Sequence, residues 1–193
     1  MKWIALAIVL TIGPYTYLRW HYRKPRPAFA PYHDINEQAN VVRLLSAGFQ
    51  RITIEVSRPA DTLRVSGAAA PVTAAPGGLP AGLGSTLVEQ PRIPDEILTI
   101  TAAETANTLF AYPIEFTCTL PDNHQQPADA RLYIRNDEIV VLPELERLSG
   151  DLLSRNRENR IRLTVPPGAL KPGHYHATIS GVRASKSWSF EVK

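Results

Sequence analysis

Two histidines separated by a single residue come closest, among the side chains of this 193-residue sequence, to the spacing of a metal site. His174 and His176 flank Tyr175 in a run that alternates polar and apolar residues, so both imidazoles are expected on the outward face of one strand. Two imidazoles on one face can bind one metal ion. Because no third ligand lies nearby in the sequence, we favour exposed polar strand positions, and no metal or other cofactor is predicted.

The other reactive residue types form no catalytic pattern. Cys118 is the only cysteine, which excludes an intramolecular disulfide and a cysteine-based metal cage. It alternates in phase with Ile114 and Phe116, which predicts a buried hydrophobic side chain, since a nucleophile would need a nearby histidine and a lowered pKa. The adjacent acids Asp137 and Glu138 fall in a predicted turn and cannot form an opposed acid–base pair. The sequence therefore predicts a non-enzymatic protein without catalytic residues.

The basic residues are concentrated at the N-terminal end. The sequence pI is near 9.1, yet five of the 21 basic residues and none of the 18 acidic residues lie within residues 1–30. The rest of the chain therefore carries 16 basic and 18 acidic residues, a net charge of −2. A net-acidic body without a Lys/Arg run interleaved with aromatic residues argues against a nucleic-acid partner.

The N-terminal segment predicts a membrane anchor. Residues 3–18 contain no charged side chain, and extending the segment to residue 22 gives the length of about 20 residues that a spanning helix needs. We therefore predict a single-pass transmembrane helix over residues 1–22, in contact with the lipid bilayer through residues 3–22. The aromatic residues suit the two interfaces, and the arginine can extend its side chain toward the headgroups. The expected anchor positions are Trp3, Leu10, Leu18, Arg19 and Trp20.

A cleaved signal peptide is the competing interpretation, because Lys2 and a ten-residue apolar run fit one. Aromatic and basic residues occupy the place of its cleavage site, so we favour the uncleaved anchor. Orientation is also open: basic residues after the span favour a cytoplasmic body, whereas a short anchor followed by a β domain is a common plan in the bacterial cell envelope. We favour the inner or plasma membrane with the domain on the periplasmic or extracytoplasmic side.

Between the anchor and the C-terminal strands the sequence changes character several times. Residues 23–33 form a Pro-rich basic stem, and residues 34–47 have the capping-box spacing and apolar periodicity of an amphipathic helix. Packing of this helix on the β domain or on a partner is favoured over the membrane surface. Residues 51–57 and 62–66 alternate as the two strands of a hairpin. Residues 67–85 contain no charge, aromatic residue or periodicity, which predicts a Pro/Gly/Ala linker or long loop.

The remaining residues, 86–193, show short alternating strands separated by turn residues. Three runs near the end place apolar side chains on one face, and Asn136-Asp137 is a tight-turn dipeptide between two further strands. Because no helices alternate with these strands, the composition and spacing predict a mainly β protein whose domain is an antiparallel sandwich. The inward positions of the three runs are Ile161, Leu163 and Val165; Tyr175, Ala177 and Ile179; and Trp188, Phe190 and Val192.

A Leu-Lys-Pro-Gly-His-Tyr segment in this region resembles the end of bacterial immunoglobulin-like (Ig-like) and fibronectin type III-like domains. In those domains a similar segment leads into the penultimate strand as a tyrosine corner, and the final Trp-Ser-Phe-Glu-Val is similar to their last strand. The resemblance covers residues 107–193 and implies a structural corner. Its members would be Leu170, Pro172, Gly173 and Tyr175.

An arginine-rich stretch supplies the candidate docking surface, because arginine is enriched in protein interfaces. Its members are Arg147, Arg155, Arg157 and Arg160. The leading hypothesis is a membrane-anchored, non-enzymatic protein that presents an Ig-like domain to a protein partner or envelope assembly. The alternatives are a carbohydrate- or ligand-binding sandwich with Tyr133 stacking on sugar, and a secreted adhesin-like module released by signal-peptide cleavage. The identity of the partner and the oligomeric state stay open.

Overall fold

The computed structural model describes residues 31–65, 67–150 and 152–193, together with residues 2, 12, 13, 15 and 17. The chain divides into two compact units, Met1–Ile35 and Asn36–Lys193, and the second contains all the described strands. Among the described residues, no helix is both long and apolar enough to cross a bilayer. The predicted anchor positions lie outside the described residues; they are Trp3, Leu10, Leu18, Arg19 and Trp20.

The described part of the chain is mainly β. It contains helix α1 (Pro31–Ser46), which covers most of the helix predicted over residues 34–47, and the short helix α2 (Ala81–Gly84). The strands are β1 (Gln50–Ser57), β2 (Val72–Pro76), β3 (Glu96–Ala102), β4 (Thr105–Ala106), β5 (Tyr112–Thr119), β6 (Gln125–Arg135), β7 (Glu138–Arg147), β8 (Glu158–Val165), β9 (Gly173–Ile179) and β10 (Ala184–Val192).

Eight of these strands close into a β-barrel. In ring order they are β10, β3, β5, β8, β1, β6, β7 and β9, and β9 pairs with β10 to complete the ring. Most neighbours are antiparallel, but β7 runs parallel to β9 and β3 runs parallel to β10. Strands β2 and β4 pair with β10 without taking a place in the ring.

The predicted antiparallel Ig-like or fibronectin type III-like sandwich over residues 86–193 is therefore wrong. In a sandwich, two sheets face each other and their edge strands stay unpaired. Here the two parallel pairs join strands that would be edges, and β1, which lies before residue 86, fills a place in the ring. The alternating pattern showed that each strand buries one face, but a sandwich and a barrel satisfy that pattern equally well.

The predicted hairpin of residues 51–57 and 62–66 does not form among the described residues. Strand β1 pairs with β6 on one side and with β8 on the other, so both of its edges are occupied by distant strands. Residues 58–65, which we name the clasp, instead cross the outside of β5 and β8. The Glu115 carboxylate of β5 accepts the Leu63 backbone N–H at 3.0 Å and the Arg162 guanidinium of β8 at 2.9 Å. The clasp is therefore held by the hydrogen bond from Leu63 to the buried Glu115 carboxylate and by one of 2.8 Å from Arg162 to the Asp61 carbonyl.

The barrel interior is filled with side chains. The predicted inward positions of β8 and β10 are all buried, and so are Ala177 and Ile179 of β9, while Tyr175 is half-buried against the same core. Cys118 is fully buried among them, as its alternation predicted, and burial raises the pKa of its thiol to about 12. An eight-stranded ring leaves an interior that side chains can fill completely.

Aromatic rings form a column within this core. Tyr112 stacks on Phe190 with ring centroids 4.7 Å apart, and Tyr175 stacks on the same ring at 5.8 Å. The Tyr112 hydroxyl donates to the Ala103 carbonyl at 2.7 Å and accepts from the Trp188 indole N–H at 3.3 Å. Burial raises the pKa of Tyr112 to about 12, against a smaller lowering by the Trp188 hydrogen bond. The column joins β5, β9 and β10 across the barrel.

The contact between β3 and β10 is the shortest in the ring. Their paired residues are Ala184 and Glu96 alone, extended by backbone hydrogen bonds from Val182 to Pro94 and from Arg183 to Asp95, both 2.8 Å. The Arg183 guanidinium also binds both carboxylate oxygens of Asp95, a bidentate geometry that strengthens such pairs. This seam is thus closed by a few directional contacts rather than by a long ladder.

Residues 67–85, predicted as a linker or long loop, contain β2 and α2. We name residues 72–88 the strap, because this segment leaves β10 and crosses the outer face of the barrel. The strap can approach the barrel backbone closely because residue 77 is glycine: a Cβ atom at Gly77 would lie 2.4 Å from the backbone of Arg183. The absence of charge and of bulky side chains, which suggested a linker, is also what close backbone packing requires.

A second hydrophobic cluster anchors the strap on the outside of β6 and β7. Leu83 and Leu87 of the strap pack there with Leu44 of α1, and Leu79 lies partly buried beside them. The barrel contributes Tyr133, Val140 and Leu142. The strap and the end of α1 therefore share one small core with the barrel wall.

Candidate binding cleft on the outer face of the barrel

The two candidate histidines project from the outer face of β9, as the alternation predicted. The His174 side chain is 86% exposed, and its Nε2 atom lies 4.0 Å from the Glu191 carboxylate of β10. His176 Nδ1 lies 3.2 Å from the Ser189 hydroxyl, also on β10. Among the described residues, no group of three His, Cys, Asp or Glu side chains is placed to hold a metal ion.

Both histidines line a cleft of about 330 Å³, which we name the polar cleft. Its geometry is fixed by the backbone: the His176 N–H donates to the Asp137 carbonyl at 2.9 Å, and the Glu191 N–H donates to the Glu104 carbonyl at 2.9 Å. The β6–β7 turn and the segment before β4 therefore form its walls. The charged and polar lining residues are Glu104, Thr105, Asp137, His174, His176, Ser189 and Glu191.

A larger cleft of about 550 Å³ lies between the strap and strands β7, β9 and β10, and we name it the strap cleft. Thr178 and Ser187 belong to its barrel side, while the strap contributes small or apolar residues. A hydrogen bond of 2.9 Å between the Thr73 and Ser187 hydroxyls holds β2 against β10, and the Gly78 N–H donates to the Gly181 carbonyl at 2.8 Å. The strap residues that line the cleft are Ala74, Ala75, Pro76, Gly77, Gly78, Leu79, Pro80 and Ala81.

His176 lines both clefts, so the two meet at its side chain. The polar cleft carries the carboxylates of Glu104, Asp137 and Glu191, and Glu138 lies in the strap cleft. No lysine or arginine is among the described residues that line either cleft. An apolar slot that opens onto carboxylates suits a ligand with an uncharged part and a cationic end.

The four arginines of the predicted docking surface are used differently from one another. Arg157 donates to the carbonyl oxygens of Leu120 at 3.0 Å and Pro121 at 3.0 Å, and Arg160 donates to Thr62 of the clasp at 3.2 Å. Arg147 and Arg155 are exposed. Two of the four guanidiniums therefore hold loops of the barrel itself, which weakens the case for a single arginine-based interface.

The residues of the predicted structural corner lie at the start of β9. Leu170 is buried in the main core, and Gly173 has φ +154°, a backbone conformation that disfavours other residues. Pro172 is exposed, and Tyr175 turns its ring toward Phe190. The segment thus turns the chain into β9, although the domain it serves is a barrel.

Burial removes the basis for sugar stacking at Tyr133. Its side chain is 1% exposed and lies in the second hydrophobic cluster beneath the strap, and burial raises its pKa. A stacking platform must present its ring face to solvent.

Sequence reasoning missed the strap cleft and two exposed apolar loop tips. Leu109 and Phe110 precede β5, and Leu152 and Leu153 lie between β7 and β8; all four side chains are at least 59% exposed. The available signal for the strap was the four-residue spacing of Leu79, Leu83 and Leu87, which marks a segment with one buried side. The cleft itself depends on long-range pairing that no local pattern encodes.

Comparison of the chain with protein-family models, with curated proteins and with solved structures finds no significant match.

Proposed function

We propose that this chain is a membrane-anchored, non-enzymatic binding protein that holds a protein partner in the strap cleft. The observation that carries the proposal is the 550 Å³ slot between the strap and the barrel wall, continuous at His176 with the polar cleft. Concave sites with a mainly apolar lining and a few polar groups are the usual form of binding sites. The packed interior of the barrel leaves the outer face as the place for a ligand.

The slot favours a polypeptide over a compact small molecule. It lies between the strap and the barrel wall, and its strap side is lined mainly by alanine, proline and glycine residues between Ala74 and Ala81. An extended segment can place alternate side chains in the small pockets of such a slot. The strap, which would form one wall, is itself fixed by the buried Leu83 and Leu87.

The membrane anchor and the extracytoplasmic location belong to the same proposal and depend on the N-terminal sequence. Aromatic and basic residues at the place of a cleavage site favour a retained anchor, whereas the extracytoplasmic location rests on the common plan of an anchor followed by a β domain. Protease digestion of a C-terminal epitope in spheroplasts tests the orientation, and intact-mass analysis of the native protein tests whether the N-terminus is retained. Protection of the epitope until lysis would place the barrel in the cytoplasm instead.

A cavity-filling variant tests the binding site. Thr178→Trp places a large side chain on the barrel side of the strap cleft, whereas Thr164→Trp places the same side chain on the outer face of β8, and both threonines are half-buried. We expect the full-length Thr178→Trp protein to lose a partner that co-purifies from native membranes, and Thr164→Trp to retain it. Equal retention by both variants would refute the proposal.

A further inference from the structure

We infer that the occupant of the strap cleft is an extended protein segment in which small uncharged residues are followed by a lysine or arginine that reaches the polar cleft. This inference rests on the proposed function and specifies the chemistry of the partner. It follows from the length of the groove, the size of its lining residues and the placement of its charges.

The length of the groove sets the length of the segment. Its barrel side follows β9 from Thr178 in the strap cleft, past His176, to His174 in the polar cleft. At about 3.3 Å per residue, four steps along a strand span about 13 Å. An extended segment of about five residues therefore covers both clefts.

The lining of the strap cleft selects small side chains. The strap side of the slot is mainly alanine, proline and glycine, and on the barrel side the Ser187 hydroxyl is already hydrogen-bonded to Thr73 at 2.9 Å. Glu138 is the one carboxylate among the described residues that line this slot. The Glu138 carboxylate is also 3.4 Å from the Arg135 guanidinium, which offsets its charge. Alanine, serine, glycine or proline residues fit this part of the groove without burying a charge.

The polar cleft selects a cation. Glu104 and Asp137 make no ion pair among the described residues, whereas Glu191 is shared between His174 at 4.0 Å and Lys193 at 3.5 Å. An arriving ammonium or guanidinium group would therefore meet two carboxylates without a counter-charge. Charge complementarity of this kind determines which partner is accepted and in which register it binds.

Charge also disfavours other occupants of the same groove. Phosphate-bearing ligands would face carboxylates, and the described lining residues include the imidazoles of His174 and His176 but no lysine or arginine. A free metal ion would lack a set of three ligands among the described residues. A basic, extended polypeptide is the class that satisfies both clefts at once.

The test uses three labelled peptides that differ only in charge: Ala-Ala-Ala-Lys-Ala-Lys and its Gln and Glu counterparts. Binding to the full-length protein in nanodiscs is measured by fluorescence anisotropy at 50 mM and 500 mM NaCl. We expect the Lys peptide to bind most tightly and the Glu peptide most weakly, with the preference reduced at high salt because exposed charges are screened.

Three variants test whether the preference for the Lys peptide arises in the polar cleft. Neutralising the free carboxylates by Glu104→Gln and Asp137→Asn together is expected to weaken the Lys peptide about fivefold and to leave the Gln peptide unchanged, as expected for exposed ion pairs. Glu158→Gln, on the exposed start of β8, is the matched control and is expected to change neither. Thr178→Trp is expected to weaken all three peptides.

The outcomes separate the inference from the proposed function. Equal binding of the Lys and Glu peptides, or an unchanged Lys peptide after the double neutralisation, would overturn the basic-segment inference while leaving the cleft as a binding site. No binding by any peptide at millimolar concentration would also overturn the inference. Loss of the native partner in Thr178→Trp but not in Thr164→Trp would still support the proposed function in either case.

Discussion

The clasp and the strap both cross the outside of the barrel, but different interactions hold them there. The clasp is tied to β5 and β8 through charge: the Glu115 side chain is 5% exposed and binds Arg162 and the Leu63 backbone. The strap is tied through leucines that pack at its middle and through close backbone contact at Gly77. The charged network leaves Glu115 nearly buried, whereas the strap touches the wall at separate points and leaves a slot between them.

This difference indicates how a binding surface can coexist with a stable fold. Because the leucine cluster carries the stability of the strap, the residues that line the slot are free to be small. A segment held along its whole length would leave no room for a ligand. Substitutions can test whether the residues that stabilise the strap are separate from those that line the slot, starting with the largest expected effect.

Leu83→Ala should be the most destabilising change in the strap. Leu83 is fully buried in the second cluster, and removing such a side chain leaves a cavity that costs about 2–5 kcal/mol. Urea unfolding measures the loss, and Leu79→Ala, at a partly buried site, is expected to cost less. A loss below about 0.5 kcal/mol for Leu83→Ala would mean that the leucine cluster does not anchor the strap.

Glu115→Ala, in β5, should be the change that most weakens the attachment of the clasp. The substitution leaves the Leu63 N–H without its acceptor and the Arg162 guanidinium, 28% exposed on its side chain, without a counter-charge at Glu115 and with the Asp61 carbonyl as its remaining acceptor. Breaking a buried pair by removing one partner costs about 3 kcal/mol, somewhat less where the remaining charge reaches water. Glu158→Ala, at an exposed acid of β8, serves as the control and should cost under about 0.5 kcal/mol.

The barrel interior, which lies beneath both the clasp and the strap, makes the free energy of unfolding depend on pH. The folded-state pKa of Tyr112 is about 12 against 10.0 for an ordinary tyrosine, so the unfolded chain loses this proton first as the pH rises. Stability contributed by the neutral phenol is therefore complete below pH 10 and declines between pH 10 and 12, by about 2 kcal/mol at the upper end.

Two core variants check that assignment. Tyr112→Phe should flatten the decline above pH 10, and Cys118→Ala should remove a decline that begins near pH 9, because burial raises the thiol pKa from 9.0 to about 12. The slope is measured from urea midpoints at each pH. The clasp variant should retain the wild-type slope; a changed slope would show that the clasp contributes to the titration.

Thr178→Trp should have the smallest effect on stability. The site lines an open slot, so a larger side chain can enter it without displacing the core, and surface changes of this kind stay within about 0.5 kcal/mol. Thr164→Trp provides the comparison on β8. A loss of several kcal/mol at position 178 alone would show that the slot is closed in solution and that the strap packs as tightly as the clasp.

Local patterns predicted the parts of the fold that depend on neighbouring residues. The inward faces of β8 and β10, the burial of Cys118, the Asn136-Asp137 turn and most of α1 follow from alternation, turn chemistry and helix periodicity. Asn136, with φ +58°, adopts the left-handed conformation that a two-residue turn requires. The outward placement of His174 and His176 follows in the same way.

The closure of the barrel and the strap could not be derived locally. Whether β1 pairs with a nearby strand or inserts between β6 and β8 depends on contacts about 80 to 110 residues away, and both choices bury the same face. The low-complexity sequence of the strap fits a linker as well as a closely packed crossing, until Leu83 is seen against Val140. The site was missed because it lies between two such elements.

Site-specific photo-crosslinking of the full-length protein in native membranes tests the central claim most directly. A photoreactive residue replaces Thr178 in one variant and Thr164 in the other, and the crosslinked peptide is identified by mass spectrometry. We expect one discrete protein adduct at position 178, on a segment of small residues next to a lysine or arginine, and little at position 164. Equal crosslinking at both positions, or none at position 178, would contradict the proposal that the strap cleft holds a partner.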